Sequence, residues 1–449
     1  MNIGSEMQEI SSNNKRIAKN TLLLYFRMLV TMAVSLYTSR VVLNILGVED
    51  FGIYNVVGGI VAMFGFINGS MTSATQRYLT FELGQNNRAQ LTKVFSTSLS
   101  IHGIISFLII VLAETVGLWF LWNKMQIPAD RMNAAFWVFQ CSVAASVIMI
   151  MSVPYNAAII AHERMSAFAY ISIIEVSLKL LIVCFLRYFH TDKLILYAVL
   201  IVIVQFLIRL CYSWYCNRHF NETKYRWSWD KGLFKEMTGF ASWNMFGSLA
   251  AITFTQGLNL LLNMFFGPVV NAARGIAVQA QTAIGQFSSN FQTALNPQIT
   301  KSYATGDMEY MHGLIFRSAK FSFFLLLLLS LPVLIETKAI LTLWLKIVPD
   351  HTVVFLRIML CTTWVYAVSN PLITAASATG KIKLYQSVVG GLLLLILPIS
   401  YLCLRFGLPA YSVFIVHLVI EITAQFARLL MLKRMIKLSL REYFSKVVW

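Results

Sequence analysis

Long apolar runs alternate with short polar breaks along almost the whole chain, and each run is long enough to cross a bilayer. Read window by window, they predict twelve helical spans. The first six centre near Ala33, Val61, Ile105, Ala144, Leu178 and Val204; the second six centre near Ala251, Ile284, Leu325, Thr363, Leu393 and Leu418. The breaks leave no room for a soluble domain, since the longest runs only from Asn217 to Lys231. The pattern predicts an all-α polytopic membrane protein.

One run departs from it. Between Asn271 and Asn296, the residues Arg274, Gln281, Gly285, Ser288, Gln292 and Asn296 recur so that a turn of about 100° per residue gathers them into one stripe. Unpaired amides and guanidinium groups in hydrocarbon cost several kcal/mol each. The stripe therefore faces other helices or a watery cavity. The span before it carries Gln256, Asn259 and Asn263 on one face, and span 1 carries Arg27 and Arg40.

Composition agrees with the pattern. The chain is 58% hydrophobic and 12% charged, where soluble domains average about 25% charged. Residues 1–20 are polar, with Glu6 and Glu9, and the first apolar run is too long for a signal sequence, so span 1 reads as retained. The net charge of +17 would suit a nucleic-acid partner if it were clustered, but it is a topology signal instead. One set of loops holds 22 Lys and Arg and the opposite set nine. The positive-inside rule then places both termini in the cytoplasm. From Lys433 onward, Ile436, Leu440, Phe444 and Val447 share one side amid five basic residues, predicting a basic amphipathic helix on the inner leaflet. The six cysteines show no CxxC or zinc spacing and read as buried apolar fillers. Walker A, GxSxG, HExxH and dinucleotide motifs are absent, and no cofactor or metal is expected.

The halves echo one another. Leu43-Asn44 with Gly47 resembles Leu262-Asn263 with Gly267. Gln76, Thr80, Phe81, Gly84 and Ser96 match Gln298, Ser302, Tyr303, Gly306 and Ser318. Six spans per copy keep both copies in one orientation, and parallel repeats build two lobes around a substrate path. The expected division is residues 1–230, residues 231–432 and a tail, 433–449.

Charges inside the membrane need individual accounts. Arg27, Arg40, Arg209 and Arg357 lie within reach of an interface and could snorkel. Arg274 opens span 8, where a helix N-terminus favours an anion, and is the leading substrate contact. Glu175 and Lys179 stand one turn apart and neutralise one another. His417, Glu421, Gln425 and Arg428 align on one face of span 12, either as a proton relay or as packing. The ion-coupling candidates are thus His417, Glu421, Glu175 and Lys179. Glu49 and Asp50 read as caps at the start of span 2.

The run from Thr38 to Asn55, with its Arg40, Leu-rich turn and Gly47-Val48-Glu49-Asp50-Phe51-Gly52-Ile53-Tyr54, resembles the first helix-loop-helix of the polysaccharide-repeat flippases. The block Ala74-Thr75-Gln76-Arg77-Tyr78 with Glu82-Leu83-Gly84 is similar to that family as well. These are two-lobed transporters of the multidrug/oligosaccharidyl-lipid/polysaccharide (MOP) superfamily, so the resemblance implies a MATE-like fold of two pseudo-symmetric six-helix lobes. It also implies passage of a polyprenyl-pyrophosphate-linked oligosaccharide across a bacterial inner membrane for O-antigen, capsule or exopolysaccharide synthesis. The implied partners are the lipid-linked oligosaccharide, membrane lipids, and a polysaccharide polymerase with its chain-length machinery, not nucleic acid. Arginines suit a pyrophosphate and amides suit a glycan. The cavity candidates are then Arg27, Arg40, Arg274, Gln256, Asn259, Asn263, Gln281, Ser288 and Gln292. The rivals are a multidrug antiporter of the same fold, which would want carboxylates in spans 1, 2, 7 and 8, and a membrane polymerase or glycosyltransferase, which would want a large outer loop.

Overall fold

A computed structural model describes residues 3–62, 65–123, 125, 127–189, 191–224, 230–345 and 348–448. In order the helices are α1 (Ile3–Ala62), α2 (Gly65–Gly84), α3 (Arg88–Leu112), α4 (Leu118–Asn123), α5 (Met132–Ala161), α6 (Met165–Leu186), α7 (Lys193–His219) and α8 (Lys231–Phe266). They continue as α9 (Pro268–Thr305), α10 (Met308–Ile335), α11 (Thr337–Leu345), α12 (Thr352–Ala378), α13 (Lys383–Leu394), α14 (Ile396–Arg405), α15 (Ser412–Met435) and α16 (Leu440–Tyr443). The described residues contain no strand.

Ten stretches of the described residues are long and apolar enough to cross a membrane. Of the two further spans expected from the pattern, the second, the whole of α9, is long but more polar, and the first includes residues 63 and 64, which lie outside the described residues. At 38 residues, α9 is roughly 57 Å long, ample for a hydrocarbon core of about 30 Å. Its polarity reflects the stripe, which finds partners inside the protein.

The internal repeat is written in the backbone. α1 turns from span 1 to span 2 at Gly47 (φ 81°, ψ 171°), and α8 gives way to α9 at Gly267 (φ 78°, ψ −171°). Both sit in a region of φ/ψ space that only glycine adopts without strain, and they are one of the two glycine pairs that the repeat aligned. Further on, the side chains of Asn87 and Asp307 cap the next helices, accepting from the amides of Gln90 and Tyr310.

The chain divides into two compact units, Met1–Ala241 and Ser242–Trp449. The division falls within α8, because residues 231–241 pack with the first unit. There the Tyr78 hydroxyl donates to Glu236 Oε1 at 3.1 Å, and the Tyr78 ring meets Phe240 edge-on at 5.8 Å. The first core gathers Ile53, Val57, Leu121, Val138, Phe139 and Leu194; the second gathers Leu262, Phe355, Leu360, Ile396, Val413 and Phe414. Large apolar side chains such as Phe107, Trp214, Leu260 and Leu328 stay exposed, which in a membrane protein is the lipid-facing surface.

Several expectations change at the ends of the spans. Asp50 has a partner the spacing did not show: its carboxylate takes the Arg131 guanidinium at 2.8 and 2.5 Å, and Arg131 also reaches Asp192 at 2.7 Å. The side chain of Glu49 lies outside the described residues. Asp192 is itself the cap of α7, accepting from the amides of Leu194 and Ile195. Burial alone would raise its pKa, but Arg131 and those two amides outweigh it and hold the carboxyl below its ordinary value. Arg209 and Arg357 bind backbone carbonyls instead of snorkelling freely. Arg209 donates to Met151 O, and Arg357 to Leu334 O and Ile335 O at the end of α10. Cys184 and Cys211 are exposed, so only part of the cysteine set fills the interior. The tail is not one helix: α15 stops at Met435, and α16 begins at Leu440. Its fully buried anchor is Tyr443 against Phe316, while Phe444 is exposed.

Candidate functional site

The polar stripe of α9 forms the back wall of a cavity of about 410 Å³ within the second unit. Gln281 donates from Nε2 to Met359 O at 3.2 Å and to Thr363 Oγ1 at 2.8 Å. About three turns on, Gln292 donates to Ala367 O at 2.9 Å and to Ser322 Oγ at 3.1 Å, and about a turn further Asn296 accepts from Thr374 Oγ1 at 3.0 Å. The amides therefore fasten α9 to α12 and α10 as well as lining the cavity. Ser288, buried on the same wall, has no hydrogen-bond partner for its hydroxyl among the described residues. Beside the stripe, Thr282, Gln286 and Ser289 complete the wall, and Thr362, Thr363 and Tyr366 of α12 face it.

α15 supplies the charge. Glu421 and Arg428 both line the cavity and form an ion pair at 2.8 Å, with side chains 5% and 3% exposed. Arg428 also donates from Nη1 to Ser369 Oγ at 3.0 Å and from Nε to the Tyr385 hydroxyl at 3.2 Å. Gln425 lies 2.6 Å from Ser369 Oγ, and its Nε2 donates to the Tyr443 hydroxyl at 3.2 Å, so the network reaches the tail. The ion pair leaves the cavity without net charge. His417 lines it too, its ring 4.8 Å from that of Phe254.

The remaining sequence candidates lie elsewhere. Arg274 is buried beside α8, donating to Asn259 Oδ1 at 2.6 Å and to Thr255 O at 2.8 Å, and it is not part of this cavity wall. Asn259 in turn donates to Gln256 Oε1 at 3.4 Å, while Gln256 and Asn263 are exposed. Arg27 lies in the first unit with its guanidinium 4.7 Å from the Phe168 ring. The side chain of Arg40 lies outside the described residues. Glu175 and Lys179 of α6 pair at 2.6 Å, and Gln205 of α7 donates to the same carboxylate at 3.1 Å. Thus Gln281, Ser288, Gln292, His417 and Glu421 come together, and Arg274, expected to lead, does not join them. What the sequence reading missed is α12. Thr363, Tyr366, Asn370 and Thr374 follow a helical spacing of their own within an apolar span.

The all-helical backbone in two units is that of a multi-pass membrane protein with the fold of a MOP-superfamily transporter, as its structural matches show. The backbone matches an outward-facing multidrug resistance MATE family transporter of that superfamily with a TM-score of 0.81 at 12% identity, over 95% of this chain and 96% of the other. It matches the Vibrio cholerae MATE transporter VcmN in its bent form at 0.78 and 16% identity, over 97% and 99%. A MOP-superfamily transporter from Pyrococcus furiosus, described as having a binding pocket of reversed polarity, matches at 0.76 and 13%, over 95% and 96%. By sequence, the chain belongs to the polysaccharide biosynthesis protein family, whose profile covers residues 17–303. No curated protein sequence matches it.

Proposed function

We propose that this protein is a flippase, carrying a polyprenyl-pyrophosphate-linked oligosaccharide repeat unit across a bacterial inner membrane by alternating access, for surface-polysaccharide synthesis. The observation that carries the reading is the cavity of a polysaccharide-family chain: amides, hydroxyls and Tyr366 set among apolar side chains around a space without net charge. Such a lining suits the hydroxyls of a sugar and offers little to a cationic drug, because its one carboxylate is already paired with Arg428. In this reading the glycan contacts Gln281, Ser288 and Gln292, and the phosphates are met by the arginines Arg27, Arg40 and Arg274. His417 and Glu421, with Glu175 and Lys179 in the first unit, are the intramembrane groups available for ion coupling. Both termini face the cytoplasm, and the product passes to a polymerase and chain-length machinery at the outer leaflet.

The test is deletion in the native bacterium, followed by extraction of polyprenyl-linked sugars and staining of surface polysaccharide. Loss of polysaccharide, with repeat units accumulating at the inner leaflet, is the expected result. Normal polysaccharide with new sensitivity to cationic dyes would transfer the assignment to a drug antiporter. Units that reach the outer leaflet unjoined would transfer it to a polymerase.

A further inference from the structure

α3 carries a histidine that the glycan cavity does not involve. His102 is 0% exposed, roughly 21 Å along the helix from Arg88, and so lies deep in the span. Its Nδ1 is 2.7 Å from the carbonyl oxygen of Ser98. A carbonyl only accepts, so Nδ1 carries the proton and Nε2 is left with a bare lone pair. That Nε2 has no hydrogen-bond partner among the described residues, and neither does the hydroxyl of Ser106, one turn further along the same face. On the other side the face is closed by a hydroxyl pair, Thr75 Oγ1 to Ser98 Oγ at 2.8 Å, which joins α3 to α2.

The surroundings offer the imidazole no charge. Of the elements packed on α3, α2 carries Arg77, Tyr78 and Glu82, and α5 carries Cys141 and Tyr155. The turn Ala113–Gly117 carries Glu114, and the turn Asn221–Thr223 carries Glu222. α3 itself carries Arg88 and Lys93. None is within hydrogen-bond reach of His102. Arg77 lies over the rings of Tyr78 and Phe81, Glu114 accepts from Gln140, and Glu222 holds His162. A buried acceptor with no donor is costly to leave, and a titratable one deep in a membrane span is a default functional candidate.

We propose that His102 is a proton-binding site of the first unit, whose occupancy is coupled to the transport cycle; the coupling rests on the flippase reading, the binding does not. One hydronium from the aqueous phase gives its proton to the Nε2 lone pair and leaves as water. The Nδ1–H stays on the Ser98 carbonyl, and the ring becomes an imidazolium. That cation has no carboxylate beside it, so it favours a packing of α2 on α3 that admits water or brings the Ser106 oxygen to the new N–H. Release of the proton restores the closed packing. A proton bound more tightly in one packing than in the other shifts the equilibrium between them.

The variant that separates titration from folding is His102→Asn. The Asn amide nitrogen occupies the place of Nδ1 and can still donate to Ser98, but it does not titrate. In histidine-labelled protein in nanodiscs, the NMR signal missing from His102→Asn identifies His102. It should be neutral with its proton on Nδ1 at alkaline pH, and should convert reversibly to imidazolium on acidification. A signal that stays neutral wherever the protein is folded overturns the site. In proteoliposomes holding the lipid-linked oligosaccharide, an imposed pH difference should change wild-type transport by up to about tenfold per pH unit for one coupled proton, and change transport by His102→Asn clearly less. If both proteins respond alike, the coupling is overturned. If wild type moves no lipid-linked sugar, the flippase reading fails, and the titration still decides whether His102 binds a proton.

Discussion

Glu421 and Arg428 stand seven residues apart on α15, which brings them within about 20° of the same face two turns apart. The spacing made their shared face legible in advance. Their pairing was not, because it depends on side-chain conformers that Tyr385 and Ser369 select from neighbouring helices. Truncating one member leaves the other charged and buried. Arg428→Ala should cost about 3–5 kcal/mol, and Glu421→Gln, which keeps an oxygen facing the guanidinium, clearly less. Thermal unfolding of both variants in detergent reads the order; an Arg428→Ala protein as stable as wild type would mean the pair carries no structural weight. Arg274 teaches the converse. Its position in a polar stripe was correctly read as shielded from lipid, but the stripe could not say whether its partner was a substrate or Asn259.

At the scale of the helices, two glycines and one capping aspartate carry the argument. Gly47 and Gly267 make the same turn in the two halves, and nothing lies within 4 Å of where a Cβ would stand at either. An alanine there is strained by the backbone alone, at about 1–3 kcal/mol each. Gly391, inside α13 and also with open space around it, is the control: alanine there should be neutral, or stabilise by up to about 1 kcal/mol. Unfolding midpoints of the three single variants test the contrast, and equal effects at all three sites would refute it. Asp192 links α7 through Arg131 to α1. Its folded pKa lies below the ordinary value of about 3.9, so its contribution is complete above that value and is lost as the pH falls through the lowered one. The stability gap between wild type and Asp192→Asn should therefore hold steady from about pH 7 to 5 and close below about pH 4. A gap that widened in acid would contradict the sign.

For the whole molecule the open question is orientation, which rests on the distribution of Lys and Arg. Single cysteines in a cysteine-free background test it. One at Lys193 should react with an impermeant maleimide in intact cells, and one at Lys301 only after permeabilisation; the reverse pattern would invert the topology. Spans, repeat and fold class were legible in the chain because a bilayer imposes length and apolarity on each helix separately, a constraint that acts locally and leaves a local trace. The chain matched Gly47 with Gly267, and the structure showed that both make a turn. Which polar groups meet was decided only in three dimensions. Gln281 and Gln292 find α12, Arg428 finds Glu421, and His102 is left with an empty Nε2, through contacts between residues far apart in the chain. A hydrogen bond selects its partner by a few tenths of an ångström and an angle, and no spacing along one helix encodes where the next helix will lie.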